Sequence, residues 1–263
     1  RTGAGLVRLA VPEACLANVA AFEPSYMTVA MPAGREGRFA YDAADKIIAQ
    51  AESATAVAIG PGIGRSKSLD RIVQRCWSEI ERPVIFDADA LNALASWRKN
   101  ENSPCDGPFA GNGFSDDFPL LAQPPAPRVL TPHPGEFKRL TGHLPSGTDD
   151  EDRCRSAAQL ARELGCVVVL KGMRTCVTDG RSYYVNQTGN PGMATGGSGD
   201  VLTGAACGLL TQGLPAFDAA VLAVYLCGLA GDIAAENLGE ESLTAADLAR
   251  FLPDAFMRYR RQH

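Results

Sequence analysis

The sequence predicts an α/β fold, a mainly parallel central sheet with helices on both faces. Three observations carry that expectation. Short apolar runs alternate with longer helical patterns, the order that repeated strand–helix units produce. The runs are continuously apolar, as in Val167-Val168-Val169-Leu170, which is how strands covered on both faces read. Turns rich in glycine and proline follow several of the runs, as in Gly60-Pro61-Gly62-Ile63-Gly64.

In chain order, strands are expected at residues 5–10, 27–31, 56–59, 83–86, 128–130 and 166–170. Helical patterns fall at 12–20, 40–51, 68–80, 91–97 and 149–164. Residues 175–178 and 182–185, split by Asp179-Gly180, read as a hairpin. Beyond Asn186 eight glycines fall by Gly213, and helices are then expected at 200–210, 216–236 and 244–259. Thr244 followed by Asp247 resembles a capping box. Residues 98–127, rich in Pro, Gly, Asn and Asp, are expected to form a flexible insertion. Nothing repeats and no linker divides the chain, so residues 1–263 are expected to form one domain.

Composition narrows the function class. Apolar residues make up 46% of the 263 and charged residues 21%, which excludes a disordered or fibrous chain. A net charge of -5 implies no broad cationic face, so neither nucleic acid nor an acidic membrane surface is an expected partner. No run is read as approaching the roughly 20 apolar residues of a membrane span, and residues 1–10 lack a signal-peptide core. A cytoplasmic location is therefore expected. The eight cysteines contain no C-x-x-C pair, so they are read as reduced core residues, without a metal cluster.

Five turns carry candidate chemistry. Asn190-Pro191-Gly192-Met193-Ala194-Thr195-Gly196-Gly197-Ser198-Gly199-Asp200 runs straight into a helix. Its glycines let several N–H groups point into one space, and the helix adds its positive end, giving a site for a phosphate or oxyanion. Asp200 at the lip reads either as a reactive carboxylate or as an N-cap. Lys171-Gly172 ends a buried strand, where ligands of open α/β sheets gather; Lys171 either meets phosphate or is solvated before the hairpin. His133, between Pro132 and Pro134, is rigidly placed at another strand end and reads as catalytic or structural in equal measure. Glu136 suits the opening of the next helix. Gly60-Pro61-Gly62-Ile63-Gly64 marks a close approach to backbone, being neither a Walker A loop nor a G-x-G-x-x-G motif. Asp87-Ala88-Asp89-Ala90-Leu91-Asn92 could bind Mg²⁺ or substrate hydroxyls, or cap a helix.

These motifs together resemble those of the ADP/ATP-dependent NAD(P)H-hydrate dehydratases, over nearly the whole chain and including the stretch from Val224 to Asp232. The resemblance implies a ribokinase-like three-layer sandwich. It also implies repair of the S form of hydrated NADH or NADPH: ADP or ATP phosphorylates the hydroxyl of the damaged ring, and phosphate leaves to restore the double bond. On the same ground Asp200 is the base, expected to stay ionised beside the helix terminus, with Gly196, Gly197 and Gly199 as the anion hole. Lys171, Gly172, Met173, Arg174 and Thr175, with Gly199, would bind the nucleotide, ADP being the favoured one. Gly62, Gly64, Asp89, Asn92, His133 and Asp200 would bind the hydrate. Mg²⁺ is implied, with Glu136 where the wider superfamily has an N-x-x-E motif, although His133 replaces the Asn. The partners implied by the resemblance are further copies of this chain, in a homo-oligomer such as a tetramer, and a separate NAD(P)HX epimerase. Two departures stand out: the family's glycine-rich segment would lie ahead of Arg1, so this sequence is either a piece of a longer chain or carries an incomplete site, and the 98–127 stretch is longer than usual. A hydroxyethylthiazole-kinase-like enzyme is the rival reading, and a non-catalytic nucleotide sensor is a weaker one that Asp200 argues against.

Overall fold

A computed structural model describes residues 1–34, 36–100, 123–147 and 149–262. Most of the expected insertion, residues 101–122, therefore lies outside the described residues. The chain opens with β1 (Arg8–Pro12), a short 3-10 turn, α1 (Leu16–Ala20) and β2 (Met27–Met31). α2 (Ala43–Glu52), β3 (Val57–Ile59), α3 (Lys67–Glu79), β4 (Val84–Phe86) and α4 (Asp89–Asn100) follow. Next come β5 (Arg128–Leu130), α5 (Pro134–Thr141), α6 (Asp150–Leu164), β6 (Val167–Leu170), β7 (Cys176–Thr178) and β8 (Tyr183–Val185). α7 (Ser198–Leu210), α8 (Ala216–Leu238) and α9 (Ala245–Gln262) complete it.

Strands β3 to β8 form one sheet in sequential order, parallel from β3 to β6, with β7 and β8 added as an antiparallel hairpin. Successive side chains of a strand point to opposite faces, and here both faces are covered. Val84, Phe86, Leu130, Val168 and Leu170 join the core beneath α2 to α6. Ile85, Val129, Val167 and Val169 join a second core with α7, α8 and α9. That is the three-layer arrangement that the continuous apolar runs imply.

Local signals account for the helices. Ser66 caps α3 by accepting from Leu69 N, and Leu69, Ile72, Val73, Cys76 and Trp77 recur at helical spacing to form its buried face. Asp149 caps α6, which ends on Gly165 in the left-handed conformation. Arg128 on β5 is wholly buried and donates to the carbonyls of Trp77, Ile80, Arg82, Ala126 and Pro127. It thereby satisfies the carbonyl end of α3.

Four expectations are corrected. The strands expected at 5–10 and 27–31 do not enter the main sheet: β1 and β2 pair only with each other. Their runs are apolar, but Leu6, Val7, Leu9, Tyr26 and Met27 are exposed, so continuity of sequence did not mean burial on both faces. A span-like run does exist. Ala216–Leu238 is long and apolar enough to cross a membrane by length and composition, yet it packs in the second core between α7 and α9. Cys154 and Cys176 are joined as a disulfide with their Cα atoms 5.8 Å apart, which corrects the expectation of reduced cysteines for this pair. Their separation of 22 positions hides a pairing that only the packing of α6 on β7 brings about. Finally α7 begins at Ser198, so its N-cap is Gly197 and not Asp200.

Candidate active site

The carboxyl ends of β4, β5 and β6 are laced together by backbone bonds. Thr131 N donates to Phe86 O at 3.2 Å, and Lys171 N donates to Pro132 O at 2.8 Å. The residues that leave these strands, Asp87, His133 and Lys171, therefore open on one crevice, as expected for an open α/β sheet. The first turn of α7 closes its other side.

Asp87 lies at the bottom and is 1% exposed. Its Oδ1 accepts from Lys171 Nζ at 2.7 Å, and its Oδ2 accepts from Thr203 Oγ1 of α7 at 2.8 Å. Lys171 Nζ also stands 3.8 Å from Oε2 of Glu136, itself buried. A Cβ added to Gly199 would stand 3.2 Å from Lys171 Nζ, so a glycine keeps the space between ammonium and helix terminus open. Ser198 Oγ is buried beside it and has no hydrogen-bond partner among the described residues.

Asp200 occupies the third position of α7 and makes no capping bond. Desolvation pushes its pKa up, the Asp87 charge adds to the rise, and Lys171 opposes it. This rise runs against the pull of the helix terminus, which favours the ionised form. A carboxylate shifted upwards is also the better proton acceptor.

The other predicted residues form a linked rim. Gly64 N donates to Asp89 Oδ2 at 2.9 Å. Asn92, one turn along α4, accepts from Arg139 Nη1 of α5 at 3.1 Å. Gly62 lies in the same β3–α3 turn as Gly64, with φ of +68°. Gly60 shows why this turn is glycine-rich: a Cβ there would lie 1.8 Å from the carbonyl oxygen of Asp87. Ala88, between the two aspartates, takes φ of 48°, a left-handed conformation that costs a non-glycine residue about 1 kcal/mol.

His133 is the N-cap of α5. Its Nδ1 accepts from Gly135 N at 3.0 Å and Glu136 N at 3.3 Å, while Glu136 Oε2 accepts from His133 N at 2.8 Å. An accepting Nδ1 leaves the proton of the neutral ring on Nε2. Of the segment from Lys171 to Thr175, only Lys171 reaches the crevice floor. Arg174 pairs with Asp150 and donates to Gln187 Oε1 at 3.1 Å. Thr175 Oγ1 donates to Gly172 O at 2.9 Å, and Met173 is exposed while its carbonyl accepts from Arg153 at 2.9 Å.

Sequence reasoning missed two supports. Thr203 lies in an apolar helix with nothing to mark it. Asp232 could have been found, as the sole acid between Asp218 and Glu236 in apolar α8. It accepts from Gly189 N at 2.9 Å and Asn190 Nδ2 at 3.0 Å, fixing the segment that leads into the glycine turn.

A sequence model of the NAD(P)H-hydrate dehydratase family matches residues 1–254. The chain belongs to this family. The bifunctional NAD(P)H-hydrate repair enzyme of Moorella thermoacetica is 41% identical over 255 residues, covering 96% of this chain and 44% of that protein. The dehydratase-family chain thus spans under half the length of curated relatives that it matches. The ADP/ATP-dependent NAD(P)H-hydrate dehydratase of Bacillus subtilis, co-crystallized with ATP and Mg²⁺, superposes with a TM-score of 0.73 at 28% identity, over 98% of this chain and 80% of that one. A ribokinase-like superfamily protein of Enterococcus faecalis gives a TM-score of 0.74 at 26% identity, over 98% and 78%. The dehydratase-family chain therefore has the ribokinase-like fold.

Proposed function

We propose that this chain dehydrates the S form of hydrated NADH or NADPH at the expense of ADP or ATP, with ADP preferred. One observation carries the reading: a carboxylate sits on the first turn of α7, behind glycine amides and beside a fixed ammonium. Such a set serves phosphoryl transfer, which needs positioning and charge neutralisation more than covalent chemistry. The nucleotide's terminal phosphoryl group lies against the amides of Gly196, Gly197 and Gly199, with Lys171 at its side. Asp200 takes the proton of the ring hydroxyl as that oxygen attacks phosphorus. The C–O bond then breaks, phosphate departs with the bonding pair, and loss of the neighbouring ring proton restores the double bond. ADP leaves as AMP.

Gly62, Gly64, Asp89, Asn92 and His133 hold the hydrate in this reading, and Lys171 to Thr175 hold the nucleotide. An epimerase would feed the enzyme its S form. Mg²⁺ fits here only as an ion held mainly by phosphates and water. Among the described residues no group of three His, Cys, Asp or Glu assembles, and Glu136 offers Oε1, which stands 3.5 Å from His133 Nε2. When bound it would neutralise charge on the transferring phosphoryl group. The test is incubation with the S hydrate and ADP, ATP or no nucleotide, following NADH absorbance. NADH should appear with nucleotide only; none in any mixture would overturn the reading.

Two variants probe the parts separately. A Gly199→Ala change places a methyl group against Lys171 Nζ and into the phosphate space, and should lower kcat by about a hundredfold, the cost of a small misplacement. Its melting temperature should hold, since alanine suits a first helical turn; normal turnover would remove the cradle from the mechanism. His133→Asn keeps an N-cap but loses the Nε2 donor. The KM for the hydrate should rise with ADP affinity and melting temperature unchanged. An unmoved KM would make His133 a cap and nothing more.

A further inference from the structure

We infer that Asp87 and Thr203 form a positioning device for Lys171, holding the ammonium at the mouth of the α7 amide cradle before any phosphate arrives. The inference deepens the reading of a phosphate site above and rests on it.

Asp87 is buried at a strand end, and both its oxygens are committed inside the protein. It is therefore not a free base or a substrate ligand. Its two bonds run in different directions, one to the end of β6 and one to the second turn of α7. The pair thus fixes Lys171 relative to Gly199 and Asp200, which are carried by the same helix as Thr203. Gly60 packs against the Asp87 carbonyl and Ala88 holds a left-handed turn, so the backbone that presents this carboxylate is rigid. A lysine has a flexible stem with several rotatable bonds, and an ammonium that must find its place only after phosphate binds loses part of its worth in ordering. Tethering it beforehand removes that cost. The device has a drawback, because the Asp87 charge itself repels phosphate. That drawback gives the test its sign.

The test is a double-mutant cycle on the full chain, combining Asp87→Asn with Lys171→Met and reading the ADP dissociation constant by calorimetry and kcat by NADH formation. In the Lys171 background, Asp87→Asn should weaken ADP binding by about tenfold, as for loss of one ordered charge-assisted bond. The KM for the hydrate should not move. In the Lys171→Met background the same change should leave ADP binding unchanged or tighten it, since only the repulsion is removed. Equal weakening in both backgrounds, or no effect in either, overturns the inference. If the wild-type chain binds ADP but forms no NADH, the dehydratase reading fails while the binding cycle still decides the role of Asp87. Thr203→Val, run in both backgrounds, should show the same pattern in smaller measure and serves in place of Asp87→Asn if that variant does not fold.

Discussion

Asp200→Asn should lower kcat by roughly 10²–10⁴, the usual worth of a positioned base, with little change in melting temperature. The two side chains have the same shape, and the structure gives Asp200 no capping bond to lose. A negative charge in a first helical turn is ordinarily favourable by about 0.3–1 kcal/mol. Here desolvation and then the Asp87 charge push the Asp200 pKa up, so the folded site already disfavours its ionised form and neutralising it costs little. Activity needs that ionised form. The acid limb of the wild-type kcat profile should therefore lie above the usual aspartate range and should be absent from the Asn variant. Kinetics and melting on one preparation check both halves; near-normal turnover in a folded variant would leave Asp200 without a catalytic role.

Arg128→Met should destabilise the fold by about 3 kcal/mol or more, from several buried carbonyls losing a charged donor. The guanidinium is buried without a carboxylate, and burial pushes its pKa down to about 10. Its compensation comes from backbone carbonyls, including Trp77 and Ile80 at the end of α3, where the helix dipole favours a cation, and from the Trp77 ring, whose centroid is 6.0 Å away. Methionine fills much of the volume and donates nothing. For a chain of this size that loss should lower the melting temperature by roughly 6–12 °C. A thermal or urea melt checks it, and an unchanged transition would mean that water takes over those carbonyls.

Much of the sheet was legible because its strands carry their own evidence. Val84-Ile85-Phe86 and Val167-Val168-Val169-Leu170 are apolar at every position because alternate side chains enter different cores. β1 and β2 defeat the same rule: the runs are largely apolar, yet the successive residues Arg8, Leu9 and Ala10 of β1 are all exposed. A run of sequence does not say which side of it the rest of the chain covers. The chemistry-bearing turns were legible for a similar reason, since glycines and strand-end polar residues stand out against apolar runs. What escaped was pairing. Nothing local announces that Thr203 will meet Asp87 from 116 residues away, or that Cys154 will meet Cys176. Asp200 shows a finer limit. Its place beside the helix terminus was visible, but its pKa follows from a buried neighbour that only the fold brings close.

The decisive measurement follows NADH and orthophosphate together in a single turnover of the S hydrate with ADP. One orthophosphate and one AMP should appear for each NADH restored, with no phosphorylated dinucleotide left at the end. Accumulation of phosphorylated hydrate without NADH would contradict dehydration and make the chain a kinase.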